Sequence, residues 1–142
     1  MINQLVDVTD SRWQQVFDIW LSANTEAHSF IDASYWEEAL PFVKKMMPEA
    51  LVYVFEEEDT VLGFIGMGDD YIEGIFVKNE SQGTGVGKKL LNFVKERHTH
   101  LTLSVYEENK KAYEFYIKQG FTFLSESIDE TGHLEKTLTW NN

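Results

Sequence analysis

The fold is decided by the segment Ile75-Phe76-Val77-Lys78-Asn79-Glu80-Ser81-Gln82-Gly83-Thr84-Gly85-Val86-Gly87-Lys88-Lys89-Leu90-Leu91. Its apolar beginning predicts a strand, and the spacing of apolar residues from Val86 to about Arg97 predicts a helix with one buried face. Between them, glycines at alternate positions permit a tight turn whose amide N–H groups point outward near the positive end of the helix dipole. The segment therefore predicts a phosphate cradle, with Lys88 and Lys89 at its rim to supply positive charge.

Two common nucleotide motifs do not fit this loop. A P-loop would require glycine at Gln82 and serine or threonine at Lys89. A dinucleotide fingerprint would require glycine at Lys88 or at Leu90, depending on which glycine begins it. Both motifs also follow a strand of a parallel sheet, whereas the strands before this loop are predicted to be antiparallel. The loop therefore belongs to neither class of nucleotide site.

Hydrophobic periodicity and turn residues predict the elements on either side of the loop. Before it, we predict a strand at 2–8, a helix from Asp10 or Ser11, a linker or short helix at 23–31, a helix at 34–47 that opens with a Ser34/Glu37 capping box, and strands at 51–57, 60–67 and 71–77. After it, we predict a strand at 101–105, a helix from Asn109 to Gly120, and hairpin strands at 121–128 and 134–140. This order predicts a mixed α/β fold.

The composition bounds the class of protein. Its 142 residues, 43% of them hydrophobic, predict a single folded domain over residues 1–142. The net charge of −12 disfavours nucleic acids and anionic membranes as partners. Because the chain has no cysteine, it can form no disulfide, thiolate metal site or thiol nucleophile. The first residues lack a signal-peptide pattern and no apolar run approaches the length of a membrane span, so we expect a cytoplasmic protein.

The charge is unevenly distributed along the chain. Residues 78–97 carry a net charge of +3, whereas residues 1–77 carry −12 and residues 98–142 carry −3. The positive window coincides with the predicted phosphate cradle. The charge pattern therefore marks the loop as a place where an otherwise acidic protein can hold an anion.

Two segments resemble signatures of a known family. The GNAT superfamily of acyl-CoA-dependent N-acetyltransferases has a Gln/Arg-x-x-Gly-x-Gly/Ala signature, which the loop resembles at Gln82-Gly83-Thr84-Gly85-Val86-Gly87. The family's Asn-x-x-Ala-x-x-x-Tyr-x-x-x-Gly-Phe segment is similar to the stretch from Asn109 to Phe121. A weaker similarity, to a small bacterial subgroup of the family, lies in His28-Ser29-Phe30-Ile31 followed by Tyr35-Trp36. The two signatures occur in the family's order, and the predicted layout of strands and helices fits the family over most of the chain.

The resemblance implies a GNAT-like fold, a central, mostly antiparallel, twisted sheet of about seven strands with about four helices. It implies that acetyl-CoA and a primary amine, either a peptide or protein lysine or a small cationic amine, react by direct attack in a ternary complex without a metal. The implied pantetheine contacts are Ile75, Phe76 and Val77. The implied pyrophosphate contacts are Gln82, Gly83, Thr84, Gly85, Val86, Gly87 and Lys88. Asn109 would contact the cofactor or cap its own helix.

The resemblance also suggests catalytic groups. Tyr116 matches the family's general acid, whose hydroxyl meets the departing sulfur. An alkylamine is mostly protonated at neutral pH, so a base must remove a proton, directly or through water. Glu73 is the first candidate because it lies two residues before Ile75, on the same face if no bulge intervenes. The alternatives are Tyr71, His28, Glu26 and water. A backbone N–H near Ile75 would hold the oxyanion.

The acceptor side is expected between the first two helices. His28, Phe30 and Trp36, together with Tyr35, would line it if these helices form the family's substrate lid; otherwise aromatic residues at helical spacing pack in the core. Because the first 77 residues carry −12, we expect the acceptor to be a cationic amine. The protein would act as a monomer or a homodimer. The alternative function is a CoA-binding regulatory module that is catalytically silent.

Overall fold

The computed structural model describes all residues from Met1 to Asn142 and contains seven strands and four α-helices. In chain order the elements are β1 (Ile2–Leu5), α1 (Arg12–Ala27), α2 (Ala33–Met46), β2 (Leu51–Glu57), β3 (Thr60–Gly68), β4 (Tyr71–Val77), α3 (Val86–Lys95), β5 (His100–Tyr106), α4 (Lys110–Lys118), β6 (Thr122–Ile128) and β7 (Leu134–Asn141). Short 3-10 helices cover Met47–Glu49 and Asn79–Ser81. None of the helices has the length and apolar character needed to cross a membrane.

The strands form one sheet in the order β1-β2-β3-β4-β5-β7-β6. Neighbouring strands are antiparallel except β4 and β5, which are parallel. The glycine loop and α3 form the crossover that a parallel pair requires. The predicted mixed α/β fold, with a mostly antiparallel sheet of seven strands and four helices, is confirmed.

The two faces of the sheet are covered by different helices. On one face, α1 and α2 bury a cluster that includes Trp13, Val16, Trp20, Trp36, Val54 and Phe64. On the other face, α3 and α4 bury a cluster that includes Ile65, Leu90, Leu91, Tyr116, Phe121 and Leu138. Each helix turns one apolar stripe toward the sheet, so the amphipathic pattern of the sequence sets the layer order.

The N-terminal region differs in detail from the prediction. Strand β1 ends at Leu5, because Val6 and Val8 are exposed rather than paired. Helix α1 continues to Ala27, so much of the segment predicted as a linker or short helix belongs to its last turns. The side chain that caps α2 is Asp32, whose carboxylate accepts a hydrogen bond from the Ser34 amide at 2.9 Å. The predicted capping role of Ser34 is therefore wrong, since an aspartate two residues earlier fills it.

Strands β4 and β5 separate soon after they begin. They pair only at Tyr71 with Thr102 and at Ile72 with Leu103. On the other edge of β4, the Lys78 amide donates to the Leu62 carbonyl at 2.8 Å, so the alternation of an antiparallel ladder turns the backbone groups of the odd-numbered residues toward β5. The amides and carbonyls of residues 75 and 77 therefore face the gap that opens between the two strands.

A bulge re-aims one side chain of β4. The register between β3 and β4 shifts between Ile72 and Gly74, which leaves Glu73 without a partner. A Cβ on Gly66, on the α1/α2 face of β3, would lie 3.7 Å from the Glu73 Cβ, so Glu73 lies on that face. Ile75 packs against the cluster on the opposite face. The expectation that Glu73 and Ile75 share a face is therefore wrong, because the extra residue of a bulge reverses the alternation.

Candidate functional site

A cavity of about 680 Å³ occupies the gap between β4 and β5 and reaches both faces of the sheet. It is lined by α1, α2, β4, the glycine loop, β5, α4 and β7. The predicted site residues that line it are His28, Trp36, Glu73, Ile75, Phe76, Val77, Gln82, Gly83, Gly85, Val86, Gly87, Lys88, Asn109 and Tyr116. The rival base Tyr71 also lines it. The splayed strands thus bring nearly all of the predicted residues to one space.

Four predicted residues do not line the cavity. The Tyr35 hydroxyl donates instead to Glu130. The Thr84 hydroxyl donates to the Ser81 carbonyl and so stabilises the glycine loop from within. The Phe30 ring lies behind the cavity wall, with its centroid 5.6 Å from the His28 ring. Glu26, one of the alternative bases, is exposed on α1 and is absent from the lining.

One part of the cavity, here the loop half, consists of residues 75–77, residues 81–88 and the N-terminal part of α4. Gly83 and Gly85 have φ angles of 78° and 94°, and Gly85 is the N-cap of α3. A Cβ on either glycine would meet nothing within 4 Å, so glycine is favoured by the left-handed backbone and not by lack of space. The first intrahelical donor of α3 is the Lys89 amide, which leaves the amides of the preceding turn free to bind a ligand.

Lysines and an asparagine complete the loop half. Lys88 and Lys111 line it and supply positive charge at the N-termini of α3 and α4. The Asn109 side chain accepts a hydrogen bond from the Ala112 amide at 3.3 Å, so it caps α4, and it also lines the cavity. Both predicted roles of Asn109 are therefore compatible with its position.

Tyr116 lines the cavity from the α3/α4 face. Its ring is buried against Phe115 and Phe121, with centroid distances of 5.3 Å and 5.7 Å. Its hydroxyl, which has no hydrogen-bond partner in the protein, is not among the atoms sealed from solvent. Burial raises the pKa of Tyr116 well above its usual range, so the hydroxyl keeps its proton at neutral pH. It can therefore donate a hydrogen bond to a group in the cavity.

The other part, here the aromatic half, consists of Trp20, Asn24, His28, Trp36, Glu73, Tyr106 and Glu135. The His28 ring centroid lies 5.3 Å from that of Trp36 and 5.0 Å from that of Tyr106. Burial lowers the pKa of His28 to about 4, so the imidazole is neutral at neutral pH. Its Nε2 accepts a hydrogen bond from Asn109 Nδ2 at 3.3 Å, which joins the end of α1 to the start of α4.

Glu135 brings a carboxylate to the aromatic half that the sequence analysis missed. It lies opposite Tyr106 in the β5/β7 ladder. Burial raises its pKa, and the nearby carboxylates of Asp129 and Glu130 raise it further. The Tyr106 hydroxyl donates to Asp129 and the Tyr35 hydroxyl donates to Glu130, so aromatic hydroxyls bind the two outer carboxylates. Only the register of β7 against β5 brings Glu135 here, and no local sequence signal reports that register.

The cavity is polarised from end to end. Its positively charged lining residues, Lys88 and Lys111, belong to the loop half, and its carboxylates, Glu73 and Glu135, belong to the aromatic half. No cluster of three or more histidine, aspartate or glutamate side chains is arranged to hold a metal ion. The arrangement suits an anionic ligand at one end and a cationic ligand at the other.

Comparison with known sequences identifies related proteins. A family model described as an acetyltransferase (GNAT) domain matches residues 12–135. The peptidyl-lysine N-acetyltransferase YiaC of Escherichia coli K12 is 37% identical over 108 residues, which cover 75% of this chain and 74% of YiaC. The peptidyl-lysine N-acetyltransferase YjaB of the same organism is 30% identical over 121 residues, which cover 84% of this chain and 82% of YjaB.

Solved structures share the fold. The solution structure of apo YjaB from Escherichia coli superposes with a TM-score of 0.84 at 26% identity, covering 99% of this chain and 97% of that chain. A putative streptothricin acetyltransferase from Bacillus anthracis, solved in complex with acetyl coenzyme A, superposes with a TM-score of 0.60 at 22% identity, covering 66% of this chain and 63% of that chain.

Proposed function

The chain belongs to the GNAT acetyltransferases, and from that premise we propose that it transfers an acetyl group from acetyl-CoA to the side-chain amine of a lysine in a peptide or protein. The observation that carries this proposal is the polarised cavity, which joins a lysine-bearing loop half to a carboxylate-bearing aromatic half through the gap between β4 and β5. Two relatives named peptidyl-lysine N-acetyltransferases support the choice of acceptor.

In this proposal the loop half binds acetyl-CoA. The Ile75 carbonyl and the Val77 amide, which face the gap, pair with the amides of the pantetheine arm, as an added strand would. Phe76 packs under the strand on the α1/α2 side. The pyrophosphate is bound by the loop from Gln82 to Lys88, whose amides and lysine supply donors and positive charge. Gln82 also donates to the Val77 carbonyl at 3.3 Å, which fixes the loop against the strand.

The proposed chemistry is a direct transfer. The acceptor enters the aromatic half as an ammonium ion and loses a proton to Glu73, directly or through a water. Its nitrogen then forms a bond to the thioester carbonyl carbon, and the Ile75 amide stabilises the oxyanion. The carbon–sulfur bond breaks, and Tyr116 donates its proton to the departing thiolate. The second proton that the nitrogen loses on forming the amide restores the Tyr116 hydroxyl through water. A donor is needed at this position because burial disfavours a free thiolate as it disfavours a phenolate.

Glu73 is the proposed base for structural reasons. The bulge puts its side chain on the α1/α2 face, next to Gly66 and Gly68 of β3, and Glu73 lines the cavity on that side. His28 is a weaker candidate, because a pKa of about 4 makes it a poor proton acceptor at neutral pH. Glu26 lies outside the cavity lining, whereas Tyr71 lines the cavity and is the remaining side-chain alternative.

The test is release of free thiol from acetyl-CoA with a panel of acceptors. Lysine-containing peptides should be acetylated faster than small amines and faster than peptides in which lysine is replaced by norleucine. Mass spectrometry of the product should locate the acetyl group on the lysine side chain. Binding of acetyl-CoA without thiol release for any acceptor would contradict the proposal and favour a silent CoA-binding module.

A further inference from the structure

Asn24 is an unusual residue in this protein. It is 4% exposed and is the one buried residue of polar or charged type. It occupies the buried stripe of α1, one turn before His28. Its Nδ2 donates to the Trp20 carbonyl at 2.8 Å, which already accepts within the helix. Asparagine is a weak helix former and its amide is costly to bury, so stability does not explain why asparagine occupies this position.

The free atom of this side chain is its oxygen. Asn24 Oδ1 receives no hydrogen bond from the protein, and it is not one of the side-chain atoms sealed off from solvent. The sealed and unpaired atoms are Trp36 Nε1 and His28 Nδ1. Asn24 lines the cavity, so its Oδ1 is an unpartnered acceptor that faces this space. Since the donor to the Trp20 carbonyl must be the NH2 group, the orientation of the amide is determined by its partner.

The groups around Asn24 indicate the chemical class of ligand that can bind to it. Helix α1 packs across β3 and β4, and the β4 bulge turns Glu73 toward the same side. Trp20 and Trp36 provide apolar walls, with their ring centroids 5.8 Å apart. Apolar walls with a neutral oxygen and carboxylates at one end suit a donor-only head group on an apolar stem. A primary ammonium, with its three N–H donors, has this chemistry.

We propose that Asn24 is a specificity-determining residue that accepts a hydrogen bond from the nitrogen of the acceptor through Oδ1 and thereby selects unmethylated primary amines. The inference rests on the proposed acetyl transfer to lysine and adds the group that recognises the nitrogen. One N–H of the ammonium donates a hydrogen bond to Asn24 Oδ1 and a second loses its proton to the base. The lone pair formed by that loss attacks the thioester, while the nitrogen keeps two N–H groups, one of them bound to Asn24. A monomethylated lysine has two N–H groups and makes both interactions only when its methyl group takes the third position. A dimethylated lysine has one N–H group and cannot make both.

The test compares variants of Asn24 with a control elsewhere. Asn24→Leu removes the acceptor atom at similar volume, and Asn24→Asp keeps an oxygen acceptor while losing the donor to Trp20. The control is Asn92→Leu, on the exposed side of α3. Binding of a lysine peptide to the protein saturated with CoA is measured by calorimetry, so that the readout does not depend on turnover.

The expected result is at least about ten-fold weaker peptide binding for Asn24→Leu, with binding by Asn24→Asp and by the control within about three-fold of the wild type. In steady-state kinetics, Asn24→Leu should raise the acceptor KM with little change in kcat. The preference for lysine over N-methyllysine should shrink in that variant. Its melting temperature should equal or exceed that of the wild type, because a buried polar group has been removed.

Two outcomes overturn the inference. The first is unchanged peptide binding by Asn24→Leu, or absence of lysine-peptide binding by the wild-type protein. The second is a lower melting temperature accompanied by weaker acetyl-CoA binding, which would identify Asn24 as a structural residue. Asn24-dependent peptide binding without thiol release would instead reject the proposed acetyl transfer and leave the recognition of the amine by Asn24 supported.

Discussion

The two halves of the cavity offer different kinds of groups. The loop half presents backbone amides, glycines and two lysines, and all of its β4 and loop residues lie between positions 75 and 88. The aromatic half presents ring faces, one amide and two carboxylates, and it combines α1 with β7 at the other end of the chain. Backbone donors can be ordered by local turn geometry, whereas side chains from distant elements depend on the tertiary fold. The proposed function therefore assigns acetyl-CoA binding to a half that is encoded locally and recognition of the acceptor to a half that tertiary packing assembles.

The largest expected effect is at Tyr116, which lines the cavity from the α3/α4 face. Tyr116→Phe should lower kcat by about 100-fold or more, because the departing sulfur loses its proton donor, while acetyl-CoA affinity changes by less than about two-fold. The control is Tyr113→Phe, which alters a tyrosine of the same helix outside the cavity lining. Steady-state kinetics and equilibrium binding measure both quantities. An unchanged kcat in Tyr116→Phe would remove this residue from the mechanism.

The loop half is disturbed most directly at Gly85. Gly85→Val imposes a β-branched side chain on a φ of 94°, so the loop must change shape and acetyl-CoA affinity should fall by about ten-fold. Gly132→Val is the matched control, because Gly132 has a φ of 83° in the hairpin turn and does not line the cavity. Calorimetry with acetyl-CoA should find wild-type affinity for the control. Equal losses of acetyl-CoA affinity in both variants would mean that general backbone strain, and not the shape of the glycine loop, lowers the affinity.

The aromatic half should respond to charge. Glu135→Gln should raise the acceptor KM by about three-fold at low salt, and the difference should shrink as salt screens the carboxylate. Because burial raises the pKa of Glu135, its negative charge is lost at a higher pH than for an ordinary glutamate. The wild-type acceptor KM should therefore rise as the pH is lowered through this pKa. In Glu135→Gln, the part of this rise that comes from protonation of Glu135 should be absent. Glu126→Gln, an exposed change on β6, is the control.

The smallest expected effect concerns stability and His28. Its folded-state pKa of about 4 lies below the usual 6.5, so between these values the unfolded chain binds a proton that the folded protein does not. The stability contributed by neutral His28 is thus present above about pH 6.5 and is lost as the pH falls toward 4. The melting temperature of His28→Gln minus that of the wild type should therefore be more positive at pH 5 than at pH 7. Parallel curves would contradict this, and His100→Gln replaces a histidine outside the cavity as control.

The sequence predicted the loop half well because its signals are local. The strand ending at Val77, the glycines and the helix from Val86 all occur where the pattern indicates. Glu73 shows the limit of such prediction: its place on β4 was predicted correctly, but its face was predicted wrongly. A bulge is a property of the pairing with β3, which the sequence of one strand does not report. Glu135 could not be predicted as a cavity residue, because its position depends on the register of a hairpin against β5.

The separation of β4 from β5 also leaves two backbone amides whose hydrogen exchange reports whether the gap is occupied. The amides of residues 75 and 77 lie within a strand, yet they donate to no carbonyl of the neighbouring strands. Such amides exchange their hydrogen for deuterium quickly, although the residues around them are held in the ladder with β3. A ligand that supplies acceptors along this edge would slow both exchanges at once. The exchange rates of these two amides thus report ligand binding in the gap, without any label on the ligand and without turnover.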